Sequence, residues 1–135
     1  MRKDTNNYKT LITYIWVQYC NKYKFVFCSC DVAHCFLKEK EIYFPLKSFS
    51  NPNSKDVFDM LHEIGHLETN KKGMKRCEEE YHATQWAIKE MKKYDFDLID
   101  RHKNLFQNYI WRWRETGIKL NGKNMPSKKD LTLKW

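Results

Sequence analysis

The sequence has little that would export it or place it in a bilayer. Its first apolar run, residues 11–20, is broken by Thr13, Tyr14 and Gln18, and no small-residue cleavage site follows. The run is also too short to cross a hydrocarbon core, which takes ~20 residues. A disulfide framework is missing too: the five cysteines are an odd number with no secretory pattern beside them. These absences predict a cytoplasmic protein with reduced thiols and no membrane partner. There is no internal repeat, no helix-turn-helix, and no composition shift that would mark a second domain. At 135 residues the expectation is one domain, with a body over 8–117 and a C-terminal tail over 118–135.

What is present is a globular composition, 41% hydrophobic and 16% aromatic, so disorder is expected only at the ends, including the polar stretch 1–7. A formal charge of +8, from 25 Lys and Arg against 17 Asp and Glu, favours a negatively charged partner, either nucleic acid or an acidic protein surface. The lysines are scattered, however, and form no arginine-rich run.

Apolar residues at Leu11, Ile12, Ile15, Trp16 and Tyr19 recur at helical spacing and predict a core-packing helix over 8–23. Phe25-Val26-Phe27-Cys28 reads as a strand, and residues 33–37 and 41–46 as a hairpin about the turn Lys38-Glu39-Lys40. Pro45 cannot donate to a ladder, so the second hairpin strand is expected at an edge, or to end at Pro45; an edge could pair with an extended peptide. Residues 48–54 read as a loop, with Ser54 as N-cap of the next helix and Asp56 favouring its dipole. That helix carries Val57, Phe58, Met60, Leu61, Ile64 and Leu67 around most of its circumference, which predicts a buried central element. Further helices are expected over 76–94, with three glutamates near its start, and over 98–116. Leu131, Leu133 and Trp135 alternate in the tail, which predicts that it docks on the body. The resulting class is α+β: helices packed on a short, mostly antiparallel sheet.

The central helix contains His62-Glu63-Ile64-Gly65-His66. His-Glu-x-x-His puts two imidazoles one turn apart on one face, with a carboxylate beside them. His62 and His66 are thus candidate zinc ligands, and Glu63 is the candidate general base for a zinc-bound water. Gly65 lowers helix stability relative to alanine, and close approach of a neighbouring backbone would explain it.

A catalytic zinc usually takes three protein ligands and keeps one position open. His82, His102 or an acid of the following helix could complete the set. Glu80, Ala83, Thr84 and Ala87 recur at helical spacing as a narrow face that can sit close to the His62–His66 helix. Glu80 then projects toward the metal, and Thr84 is placed to hydrogen-bond a ligand. Glu79 is the alternative should the helix be rotated by one residue.

His62-Glu63-Ile64-Gly65-His66, followed by Glu80-Tyr81-His82-Ala83-Thr84-Gln85-Trp86-Ala87, resembles the ImmA/IrrE-type zinc metallopeptidases over roughly residues 25–92. The resemblance implies a small zincin-like domain and a cytoplasmic zinc endopeptidase acting on a protein, such as a phage or mobile-element repressor. It implies His62, His66 and Glu80 as zinc ligands and Glu63 as the base. The sequence departs from the family pattern at Thr84, where Asn or Asp is usual, and at His82, where a second Glu is common. It also lacks the Leu-Met-Pro that often closes the family's second helix. Candidates for an oxyanion donor are Tyr81, His82 and His102.

Two other features carry competing expectations. Cys28, Cys30 and Cys35 with His34 could hold a second metal, but their spacing fits no common zinc ribbon and ordinary buried thiols are expected. Trp111-Arg112-Trp113-Arg114 supports an alternative, non-catalytic regulator that binds nucleic acid or a protein. Adjacent positions 111 and 113 cannot share a helix face, so one tryptophan is expected to be exposed.

Overall fold

The first apolar stripe folds into helix α1, Thr5–Tyr19, with Ile12 and Ile15 wholly buried and Leu11, Trp16 and Tyr19 packed against the core. In the computed structural model, which describes residues 5–122 and 124–135, residues 5–7 belong to this helix instead of to a loose end. The rest of that polar stretch, 1–4, lies outside the described residues.

Three strands follow: β1 at Lys24–Cys28, β2 at His34–Phe36 and β3 at Glu41–Pro45. Their spatial order is β1-β3-β2. β2 and β3 form the expected hairpin, with His34 opposite Tyr43 and Phe36 opposite Glu41. β1 runs parallel to β3, from Lys24 opposite Glu41 to Cys28 opposite Pro45. The sheet is therefore mixed, with its longer pairing parallel, and not mostly antiparallel. β3 is central and ends at Pro45, so the missing N–H falls at the last rung. Burial explains why β3 is central: Ile42, Phe44 and Pro45 are buried, whereas β2 is half exposed.

The expected loop after β3 begins instead as a short helix, α2, Leu46–Ser50. The next helix, α3, spans Ser54–Thr69, and its N-cap is Asn53 rather than Ser54. Asn53 Oδ1 accepts from the Asp56 N–H at 2.9 Å, while Asp56 Oδ2 accepts from the Asn53 N–H at 2.9 Å. This reciprocal capping box satisfies two donors that the first turn would otherwise leave bare.

α4, Arg76–Lys93, packs along α3, and the seam between them is tight because both faces are small. A Cβ built on Gly65 would stand 2.5 Å from the Ala83 carbonyl oxygen, so only glycine fits there. Ala83 and Ala87 are fully buried in this seam. The turn after α4 includes Asp95 in the left-handed region (φ 59°) and buries Phe96 and Leu98 before α5, Asp100–Asn121.

The tail docks, as its alternating leucines suggest, through glutamine clamps instead of strand pairing. Gln107 of α5 donates to the Leu131 carbonyl at 2.9 Å and accepts from the Leu133 N–H at 2.6 Å. Gln85 of α4 treats Lys134 in the same way, at 2.8 and 3.0 Å. Leu131 and Leu133 are buried, and the Trp135 ring lies 5.8 Å from that of Phe58. Among the described residues, no helix is long and apolar enough to cross a membrane.

Candidate metal centre

Helical periodicity brings His62 and His66 onto the face of α3 that meets α4, with ring centroids 4.7 Å apart. Both are buried, at 8% and 7% exposure, as is Glu63 at 7%. One donor atom each from His62, Glu63 and His66 falls within 4.8 Å of the others, a buried group able to hold a metal ion. From across the seam, Glu80 adds its carboxylate, 1% exposed. Glu80 Oε2 lies 3.1 Å from His66 Nε2, and Oε1 lies 3.2 Å from His62 Nε2.

These separations are close to the edge of a zinc tetrahedron, about 3.3 Å for bonds of ~2.0–2.1 Å. His62 Nε2 and Glu80 Oε1 face each other without forming a hydrogen bond, and both are left as buried atoms with no partner. Buried polar atoms are seldom left so, because each costs about 1–3 kcal/mol. A cation between them would satisfy both, so the donor set fits zinc. His62 Nδ1 lies 3.1 Å from Glu63 Oε2, which leaves Nε2 as the nitrogen turned toward Glu80.

The electrostatics agree with this arrangement. Burial opposes a charge on His62, but a hydrogen bond with Glu63 and attraction to the Glu63 and Glu80 carboxylates outweigh it and raise its pKa to about 10. Burial likewise opposes the Glu80 carboxylate, and His62 and His66 outweigh it, holding Glu80 well below the usual range. The set is a negatively charged pocket, and a proton on His62 offsets part of that charge.

The other sequence-nominated residues are placed differently. The Thr84 hydroxyl donates to the Glu80 backbone carbonyl at 2.7 Å, so it steadies the turn that carries Glu80 and does not bond to a ligand side chain. Glu79 turns outward, 3.9 Å from Arg76. His82 is exposed, with its ring against Tyr81. His102 lies near Lys55 and Asp56 at the start of α3. None of Tyr81, His82 and His102 lines the cleft in front of Glu63.

That cleft has two lobes that share Val32, Ala33, His62, Glu63 and Tyr109. One, about 520 Å³, runs beside β2 past Cys35, His66, Arg76 and Glu80. The other, about 330 Å³, is lined by Leu105 and Phe106, with Lys55 and Arg112 among its charged groups. Its Phe106 ring sits 5.6 Å from that of His62.

Arg76 and Tyr109 were not among the sequence-nominated site residues. Arg76 Nη2 lies 3.1 Å from Glu80 Oε2, and its guanidinium stands 5.1 Å from the Trp113 ring. Partial burial opposes the Arg76 charge, but Glu80 and a hydrogen bond with Tyr109 outweigh it and raise its pKa. The four-residue spacing of Arg76 and Glu80 was a readable signal. Tyr109 had none, since it shares the stripe of Leu105 and Phe106 that reads as core.

Cys28 and Cys30 do not gather with Cys35 and His34. Cys35 sits on β2 beside Glu63, where burial and then that carboxylate push its thiol above the ordinary range, whereas Cys28 and Cys30 lie by the opposite edge of the sheet. The tryptophans of the aromatic-basic stretch are both half-buried, so neither is the exposed one expected. Trp111 Nε1 donates to the Lys128 carbonyl at 3.3 Å, and Arg114 Nε donates to that of Pro126 at 2.6 Å. Trp111 and Arg114 are thus tied to the tail, whereas Arg112 lines the cleft and Trp113 stands against Arg76 and Tyr109. Searches against protein-family models, curated proteins and solved structures find no match to this chain.

Proposed function

We propose that this chain is a zinc-dependent endopeptidase of the ImmA/IrrE type, with a zincin-like domain, cleaving a cytoplasmic protein such as a phage or mobile-element repressor. The observation that carries the reading is the unsatisfied pair His62 Nε2 and Glu80 Oε1, held 3.2 Å apart in a buried seam with His66 beside them. His62, His66 and Glu80 would hold the ion. When bound, zinc supplies a Lewis acid that lowers the pKa of water toward ~7 and polarises a carbonyl.

Glu63 stands at the junction of the two lobes and acts as the base. It takes the proton of the attacking water and returns it to the departing amine. Tyr109 lines both lobes and supplies an O–H to the oxyanion as it develops. The outer edge of β2 has no neighbouring strand among the described residues, so an extended substrate pairs with residues 34–36 along the cleft. Leu105 and Phe106 then receive an apolar side chain next to the scissile bond.

The test is cleavage of a mixed peptide library by purified protein. The expected result is cleavage abolished by a zinc chelator, restored by added zinc, and lost in Glu63→Gln while zinc is retained. Cleavage by Glu63→Gln at the wild-type rate would sink the mechanism.

A further inference from the structure

Cys28 closes β1, and Cys30 follows it beyond Ser29. The chain bends at Ser29, just past the end of β1, and this brings the two side chains together. Their sulfurs consequently meet, with Sγ atoms 2.6 Å apart. A bonded pair stands at ~2.05 Å, so little movement separates the two thiols from a covalent bridge. Both residues are half-buried, which leaves a small reagent able to reach them. Neither thiol belongs to the buried group of His62, Glu63 and His66. The remaining thiols are elsewhere: Cys20 just beyond α1, Cys35 on the far edge strand and Cys77 buried in α4.

We infer that Cys28 and Cys30 form a redox-active dithiol that closes to a disulfide by exchange with a small-molecule disulfide of the glutathione class. In the first step one thiolate attacks a sulfur of that disulfide, forms a mixed disulfide and releases one small thiol. In the second step the other cysteine attacks the protein sulfur of the mixed disulfide and releases the second small thiol. Two electrons pass from the dithiol to the small disulfide, and the two protons end on the released thiols. Burial, with Cys28 beside it, raises the Cys30 thiol to about 11, which slows the exchange at neutral pH without blocking it.

The pair matters because of its neighbours in the chain. From Cys30 the backbone runs directly into Val32 and Ala33, which wall both lobes of the cleft. Closing a small ring over Ser29 fixes the start of that segment, so the oxidation state of the pair is felt at the rim. This site stands whether or not the cleft hydrolyses peptides.

The experiment uses the full, reduced chain in buffers of rising oxidised-to-reduced glutathione ratio, followed by acid quenching, alkylation and intact-mass measurement. The expected result is loss of two of the five thiols with no glutathione retained. Cys35→Ser should lose the same two, whereas Cys30→Ser should hold one glutathione as a trapped mixed disulfide. Amide exchange over residues 29–33 should slow in the oxidised chain. Five alkylatable thiols throughout, a bridge mapped to any other pair, or retained glutathione on the wild type would overturn the assignment. The wild-type mass decides the matter even if a variant fails to fold.

Discussion

The two walls of the cleft are built on opposite principles. On one side, the seam of α3 and α4 is closed: the Gly65 backbone touches Ala83, and His62, His66 and Glu80 are buried among fully packed neighbours. On the other, Val32 is 72% exposed, Leu105 49% and Tyr109 37%. The donor wall is thus held by contacts that any substitution disturbs, whereas the facing wall carries large apolar groups that core packing does not require. On the proposed reading, chemistry and selectivity are therefore stored in separate places. The ligand set is over-determined by packing, and the facing wall is free to be shaped by what it receives.

Substitutions on each wall put this contrast at risk. The largest effect is expected from Glu80→Ala, which removes one donor and leaves two histidines facing a hole. Zinc affinity should fall at least ~10-fold by competition with a chromogenic chelator. Unchanged affinity would move the third ligand elsewhere. Gly65→Ala comes next. Its methyl meets a backbone carbonyl that cannot rotate away, so overpacking of about 1–3 kcal/mol exceeds the helix-propensity gain of up to ~1 kcal/mol. A net loss of roughly 1 kcal/mol in urea denaturation is expected, with weaker metal retention alongside. A neutral or stabilising Gly65→Ala would show that the seam is looser than its contacts imply.

On the facing wall, Tyr109→Phe should leave zinc content and melting temperature as they are and lower kcat about 10-fold, or ~1.4 kcal/mol. A fall in stability with kcat intact would make Tyr109 a packing residue. The smallest effect is reserved for Leu105→Ala. Stability should change by less than ~0.5 kcal/mol, as for other exposed positions, while kcat/KM falls only for substrates with a bulky apolar residue next to the cut. That fall should be a few-fold, below the ~10-fold of a fully enclosed methylene. A uniform loss across substrates would remove Leu105 from the specificity wall.

The donor wall was largely legible in the sequence because helical periodicity is a strong signal. Four-residue spacing put His62 and His66 on one face, and the small residues Ala83 and Ala87 announced a close neighbour, as Gly65 did from the other helix. Docking of the tail was legible too, since Leu131 and Leu133 had no other reason to alternate. The clamps of Gln85 and Gln107 were not, because an amide on a helix surface looks the same paired or solvated.

The sheet was misread for a related reason. Short strands carry pairing preference but not order, and the parallel partnership of β1 with β3 depends on burial of Ile42 and Phe44 that only the tertiary structure decides. Pro45 illustrates the ambiguity, since it is equally compatible with an edge strand and with the last rung of a central one. Arg76 and Tyr109 were hidden because each joins the site from an element whose approach to α3 no local pattern encodes.

The contact of Gly65 with Ala83 works as the stop of a caliper. The two histidines ride on one jaw and Glu80 on the other, and a backbone-to-backbone contact sets the opening between them. Side chains can adjust by rotating, but main chains in hard contact cannot approach further, and their buried flanks resist being prised apart. The bite of the site is therefore a property of two helices, and the proposed zinc, with its short bonds of about 2.0–2.2 Å to nitrogen and oxygen, would suit it. An ion that needs bonds of about 2.3–2.6 Å, such as calcium, would have to force the jaws open against the core behind them.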